Sequence, residues 1–283
     1  MNDIDAYLDR VQQLPPAPQV LPTLLGLLGN ANVDTSRVVA VIGLDPALTV
    51  SVLQVCNSAF FASGSPAETL EEAVTRLGFD EVYRTVAALV GGRSMGPPQK
   101  GYGIDAGELW KHSVTTAMAA QRVAARRGDN ETLAYTAGLL HDLGKVVLSA
   151  ALETRYDQLL EEVERHQHPL LEAEKKLLGV DHAEIGARLL ERWRFPESLV
   201  TAVRHHHAPA GAGVHGSLAA TVYVGNMLAH FMGSAFGHVP FAFRSREEAL
   251  SLLGLEVEVL PHLMIETFDR WQRMEAMFRT RSG

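Results

Sequence analysis

The chain has 283 residues, 47% of them hydrophobic and 20% charged, a balance that supports a sizeable core in one large or two smaller domains and excludes a mostly disordered protein. A net charge of −8 with no basic stripe is the wrong sign for bulk nucleic acid and leaves room for a small anionic ligand in a local pocket. The lone Cys56 has no disulfide partner, the opening MNDIDAYLDR lacks a secretory signal's basic and apolar regions, and the apolar stretch from Val214 to Gly233 carries His215, Asn226 and His230; the expectation is a cytoplasmic protein without a membrane segment.

No sustained period-2 alternation suggests strands, so the elements read as helices in order. Val20, Leu21, Leu24, Leu25 and Leu28 fall on one helical face after the proline-rich entry Leu14 to Pro18. Asp45 before Pro46 starts a helix, because the carboxylate accepts from free amides while proline needs no donor in the first turn. Thr69 and Glu72 have capping-box spacing, Gly78 stops that helix and Asp80 starts the next. The run GGRSMGPPQKGYG, Gly91 to Gly103, holds five glycines and two prolines and predicts a break that divides residues 1–95 from 96–283. Helices follow from Asp105 to Arg127, Glu131 to Val147, Glu153 to His166, Pro169 to Leu178, Asp181 to Arg194, Pro196 to His207 and Ser217 to Phe236. Ser245 and Glu248 predict another capping box before an amphipathic helix from Glu256 to Thr280. The fold class is all-α.

Twelve histidines concentrate after residue 110. His141-Asp142 in AGLLHDLGK places an imidazole and a carboxylate side by side on an apolar helix, a donor set that suits zinc, iron, manganese or nickel. Either this pair and His112 hold a metal, or they hydrogen-bond across the bundle. Glu108 lies four residues before His112 on the same helical face, as a ligand or as a helix-start carboxylate. Lys145 is a phosphate contact or a solvated side chain. His182, His206-His207 and Asn226 complete the candidates, whereas His215, His230, His238 and His262 read as surface or packing residues. Cys56-Asn57-Ser58 reads as a helix end, and Trp110, Trp193 and Trp271 as core. Successive helical residues point about 100° apart, so His205, His206 and His207 cannot all face one site on a helix.

This order of a helix-borne His, a His-Asp pair, a spaced His, a His-His pair and a late polar position resembles the HD superfamily of metal-dependent phosphohydrolases. More specifically, LPPAP, DPALTVSVLQVCNSAFF, LEEAVTRLGF, LWKHSVTTA, AGLLHDLGK and HAEIGARLLERWRFPESLVTAVRHHHAP, between Leu14 and Pro209, resemble HDOD proteins. The resemblance implies an N-terminal helical subdomain packed on an HD-like bundle, a bacterial signalling output or scaffolding role with a protein partner, and one or two divalent ions. His112 takes the first ligand position and His141 with Asp142 the paired one. His182, His206 and His207, the last two favoured over His205, correspond to the extra histidines of HD-GYP cyclic-di-GMP phosphodiesterases, and Glu108 to a further carboxylate. Asp142 and Lys145 would be the catalytic residues of an active enzyme. Two departures stand out: Asn226 occupies a position where active enzymes carry aspartate, and APAGAGVHG replaces the GYP segment. Both point to an output module with a retained but degraded metal site, with a phosphohydrolase or a non-hydrolytic cyclic-dinucleotide binder as alternatives. A homodimer through the C-terminal helices stays open.

Overall fold

The computed structural model describes residues 20–28, 34–58, 65–166, 168–234 and 245–279, together with Tyr7 and Phe61. The entry at Leu14 to Pro18, residues 235 and 236, His238 and Thr280 lie outside them. Among the described residues the fold is all-α; the one pairing of extended backbone is an isolated bridge between Gln99 and Ile104. No described helix is long and apolar enough to cross a membrane. The chain divides into two compact units, a smaller one on Pro18–Val90, with which the chain from Phe268 is grouped, and a larger one on Gly91–Thr267.

In the smaller unit, α1 (Val20–Leu28), α2 (Thr35–Gly43), α3 (Pro46–Cys56) and α4 (Leu70–Leu77) pack in sequence and bury Leu21, Leu24, Ile42, Leu48, Val52 and Val74. Caps set their starts: Asp34 accepts from the Ser36 amide, Asp45 from those of Ala47 and Leu48, and Thr69 from that of Glu72. The Thr69 cap is half of the expected box, because the Glu72 carboxylate accepts from the Glu68 amide one residue earlier than the reciprocal bond requires. α5 runs Phe79–Met95 straight through Gly91 and Gly92, where the glycine-rich run predicts a break. These glycines serve closeness instead: a Cβ on Gly92 would lie 3.0 Å from Trp110 Nε1.

The larger unit is organised around α6 (Glu108–Arg127), whose buried residues lie on nearly every side. α7 (Glu131–Leu140) and α13 (Gly216–Phe231) pack against it. Ala117, Ala119, Ala120 and Ala124 keep α6 narrow, and the facing positions are glycines: a Cβ on Gly138 would meet Ala117 Cα at 2.8 Å, and one on Gly225 would meet Ala120 N and Thr116 O at 2.9 Å. Leucine-sized residues could not bring three backbones this near. The outer side of α13 carries Tyr223, Met227 and Leu228, which form one core with Leu250 and Leu253 of α14 (Arg246–Leu253) and with Leu260 and Leu263 of α15 (Leu260–Arg279). Ser245 caps α14 without a side-chain bond, so the box expected with Glu248 does not form.

Several predicted helices are shorter or divided; the one expected from Ser217 to Phe236 ends at Phe231. The helix expected from Glu131 to Val147 is two, α7 and α8 (Leu143–Leu152), separated at His141-Asp142. The segment from Glu153 to His166 holds a 3₁₀ turn, α9 (Tyr156–Leu160) and a π-helical turn at Glu161–Arg165. α10 (Leu170–Leu178) and α11 (His182–Arg192) follow, and then α12 (Glu197–Arg204), which ends before the three histidines rather than after them.

Close helix packing makes a paired prediction. Gly225→Ala should cost about 1–3 kcal/mol through overpacking against α6, whereas Gly26→Ala on the open face of α1, with nothing within 4 Å, should add about 0.5–1 kcal/mol. Urea melts of the two variants check this; a neutral Gly225→Ala would contradict the packing described.

Candidate metal centre

The helix break at His141-Asp142 builds the centre. Asp142 stands at the N-cap of α8 with non-helical backbone, yet its carboxylate makes no capping bond. It turns inward instead, 1% exposed, where Oδ2 accepts from Lys145 Nζ at 2.7 Å. Around this one carboxylate the imidazoles of distant segments gather. Oδ2 lies 3.3 Å from His141 Nε2 and 3.8 Å from His112 Nε2, while Oδ1 lies 3.3 Å from His182 Nε2 and 3.8 Å from His206 Nε2. His207 Nε2 is 3.1 Å from His182 Nε2. His112, His141 and Asp142 thus form one triad of potential ligands and His182, His206 and His207 another, the ligand atoms of each lying within 4.8 Å of one another.

Backbone geometry explains the convergence. α12 stops at Arg204, so His205, His206 and His207 sit in a turn whose directions differ from helical ones. The rings of His206 and His207 come within 4.0 Å, centroid to centroid, whereas His205 leans against Gly211. Asp181 caps α11 by accepting from the Glu184 amide at 2.7 Å, which places His182 in the first helical turn. Gly144 allows α8 to touch the start of α11, since a Cβ there would overlap the His182 carbonyl.

The hydrogen bonds around the rings fix which nitrogen faces inward. The Nδ1 of His112 donates to Ser234 O at 2.7 Å, that of His141 to Gly138 O at 2.8 Å and that of His206 to Val203 O at 2.6 Å. A carbonyl can only accept, so Nδ1 carries the proton and Nε2 presents a lone pair unless the ring is charged. Burial, reinforced by neighbouring histidines, holds His112, His206 and His207 well below the ordinary imidazole range. Burial alone would push the Asp142 carboxyl up, but the positive charge beside it, on His141 when that ring is protonated and on Lys145, holds it well below the usual carboxylate range.

The interior therefore assembles inward-facing lone pairs around an anion. His141 Nε2, His206 Nε2 and Asp142 Oδ1 are buried and make no hydrogen bond. Such atoms cost stability unless a partner reaches them, and a divalent ion fits this donor set. The 3.1 Å between the Nε2 atoms of His182 and His207 is also close to the roughly 3.0–3.4 Å expected for two nitrogens sharing one ion at about 2.1 Å.

Other candidates fall elsewhere. Glu108 is exposed and accepts from the Asp105 amide at 3.1 Å at the start of α6, so the structure does not bring it into the cluster. Lys145 is 6% exposed on α8 rather than solvated in a turn. Asn226 is 4% exposed on α13 and its Oδ1 makes no hydrogen bond. One turn beyond it, His230, which the sequence suggests is a surface or packing residue, stands edge-on to His112 at 4.8 Å between centroids. Its i+4 spacing from Asn226 was the available signal. Glu174, one of two acidic residues in α10 and not marked by any sequence pattern, is wholly buried and bonded to His182.

Comparison with known proteins agrees with this architecture. The family model for the HDOD domain matches residues 14–209. An uncharacterised protein of Treponema pallidum (strain Nichols) is 31% identical over 237 residues, 82% of this chain and 45% of that protein; the chain spans less than half the length of the curated relatives it matches. A structure from Marinobacter aquaeolei VT8, with the provisional description of a signal transduction protein, superposes with TM-score 0.77 at 28% identity, covering 97% of this chain and 63% of that one. One from Shewanella amazonensis SB2B, provisionally described as a phosphohydrolase, gives TM-score 0.67 at 26% identity over 93% of each chain.

The buried imidazoles set a pH dependence. A histidine whose folded pKa is depressed binds its proton more readily when unfolded, so the stability of metal-free protein falls as pH drops below the ordinary 6.5. For His230, pushed down to about 4 chiefly by burial and by Lys145, the loss continues until that pH; Asp142, held below 3.8, adds its own loss only in stronger acid. Urea midpoints between pH 7 and 4 should fall steeply, and His230→Gln should flatten the slope by up to one proton, about 1.4 kcal/mol per pH unit. Identical slopes would contradict the lowered pKa of His230.

Proposed function

The chain belongs to the HDOD family, and we propose that it serves there as a signalling module built around a buried divalent-metal centre with little or no turnover. The observation that carries this reading is the set of inward-facing lone pairs around Asp142. His112, His141 and Asp142 would hold an ion on one side and His182, His206 and His207 on the other, with the Asp142 carboxylate between them. A bound divalent metal supplies Lewis-acid polarisation of a phosphoryl oxygen and activation of water.

The chain's own residues favour holding an ion over turnover. Asn226 offers a neutral amide oxygen that cannot act as a base and contributes no charge toward a dication. Asp142, His112, His141, His182 and His206 are each no more than 1% exposed, and only His207 and His230 at the edge are part-exposed. A centre so enclosed braces α6, α8, α11 and the turn after α12 against one another, and its filling or loss changes how firmly these elements are held. The readout is a protein partner on the helical surface, as the description of the Marinobacter structure suggests, in a reducing cytoplasm where the buried Cys56 stays free.

A second reading, a metal-dependent phosphohydrolase, draws on Lys145. Its ammonium sits 2.7 Å from Asp142 and would neutralise charge on a phosphoryl group brought to the centre. The likeness to the Shewanella structure favours the same class. A small phosphorylated ligand or cyclic dinucleotide would enter past His207 and His230.

Elemental analysis after purification should find one or two equivalents of iron, manganese, zinc or nickel, lost in His141→Ala and Asp142→Ala. Turnover of bis(p-nitrophenyl) phosphate and cyclic-di-GMP with each metal supplied should stay near the protein-free rate; robust hydrolysis abolished in Asp142→Ala would replace the signalling reading by the hydrolase. Asn226→Asp should tighten metal binding about tenfold, worth about 1.4 kcal/mol, and unchanged affinity would place Asn226 outside the ligand sphere.

A further inference from the structure

Glu174 of α10 is 0% exposed, and a carboxylate is not carried to such a place without partners. Its hydrogen bonds go to His182 and to Tyr102. Oε2 accepts from the His182 amide at 2.9 Å and from His182 Nδ1 at 2.8 Å, with Oε1 3.0 Å from the same nitrogen. Oε1 also accepts from the Tyr102 hydroxyl at 2.7 Å. Tyr102 is itself buried, in the 3₁₀ turn Lys100–Tyr102, and burial together with Glu174 pushes its phenol well above the ordinary range, so it stays a donor.

We propose that Glu174, steadied by Tyr102, is the positioning residue of the second half of the centre: it holds the proton of His182 on Nδ1 and thereby aims the Nε2 lone pair at the place between Asp142 and His207. This rests on the metal-binding reading above. A carboxylate is acceptor-only, so the Nδ1 it contacts carries hydrogen, and Nε2, 3.3 Å from Asp142 Oδ1 and 3.1 Å from His207 Nε2, is left as the donor atom. His112, His141 and His206 are oriented by neutral main-chain carbonyls; His182 alone among these four is oriented by an anion. The difference has a use. Among the described residues the His182, His206 and His207 triad has no carboxylate of its own beyond the shared Asp142, and Glu174 supplies negative charge one hydrogen bond away, raising the donor strength of the imidazole it grips.

Calorimetric and chelator-competition titrations of the full chain with Mn²⁺ and Zn²⁺ test this. Glu174→Gln should weaken one binding event about 10–100-fold and leave the other unchanged. Tyr102→Phe, which keeps the packing, should weaken the same event by a smaller factor and carries the test if Glu174→Gln does not fold. In a His182→Ala background Glu174→Gln should have no further effect. Nitrogen-15 spectra of metal-free protein should show His182 protonated at Nδ1 in the wild type and a tautomer mixture in Glu174→Gln. Unchanged affinity and tautomer in both variants would overturn the proposal, as would an equal loss in the His182→Ala background, which marks a merely structural carboxylate. Wild-type protein that takes up neither metal overturns the metal reading instead, and the nitrogen-15 comparison then still decides whether Glu174 sets the tautomer.

Discussion

A single buried carboxylate organises the larger unit. Asp142 sits where α7 gives way to α8, in a position where aspartate ordinarily accepts from amides of the following turn; here it forgoes that bond and lies amid Lys145 and the imidazoles. Removing a carboxylate from water costs several kcal/mol after relaxation. That cost falls on the sequence as a requirement for compensating groups from α6, α8, α11 and the turn after α12, each at a fixed distance from one residue. Gly138 and Gly144 meet that requirement sterically, and Ala117 and Ala120 let α6 lie close enough for His112 to reach inward.

The all-α class and most helices were legible because hydrophobic spacing and caps are local signals. Asp45-Pro46, Thr69 and Asp181 mark helix starts that the structure places at Pro46, Leu70 and His182. Gly91-Gly92 misled for a physical reason: glycine's intrinsic cost in a helix is outweighed when Trp110 packs where a side chain would stand. The break at His141-Asp142 is hard to read for the converse reason: Leu139, Leu140 and Leu143 carry the apolar pattern straight through it, and Asp142 makes no capping bond there.

The same distinction separates the parts of the centre. His112, His141, Asp142, His182, His206 and His207 were visible as chemistry-bearing residues in an apolar context, but their convergence depends on where α12 ends, which propensity alone does not locate. Glu108 looked well spaced from His112, yet its place at the exposed start of α6 commits it to the Asp105 amide. Glu174 goes unread and His230 reads only as a surface or packing residue, because an acidic residue in a charged helix and a histidine on an apolar one each have common explanations; tertiary contacts, with His182 in one case and His112 in the other, single them out. Asn226 keeps a neutral polar atom on the helix that carries His230, and on the proposed reading the charge it lacks is what separates holding a metal from using it.

Anomalous X-ray scattering from crystals grown with Mn²⁺ or Zn²⁺ tests the central claim most directly. The account predicts peaks beside Asp142, on the His112 and His141 side, on the His182, His206 and His207 side, or on both. Crystals in which the metal sits elsewhere, with Lys145 still bound to Asp142 and the imidazoles bonded to one another, would contradict it.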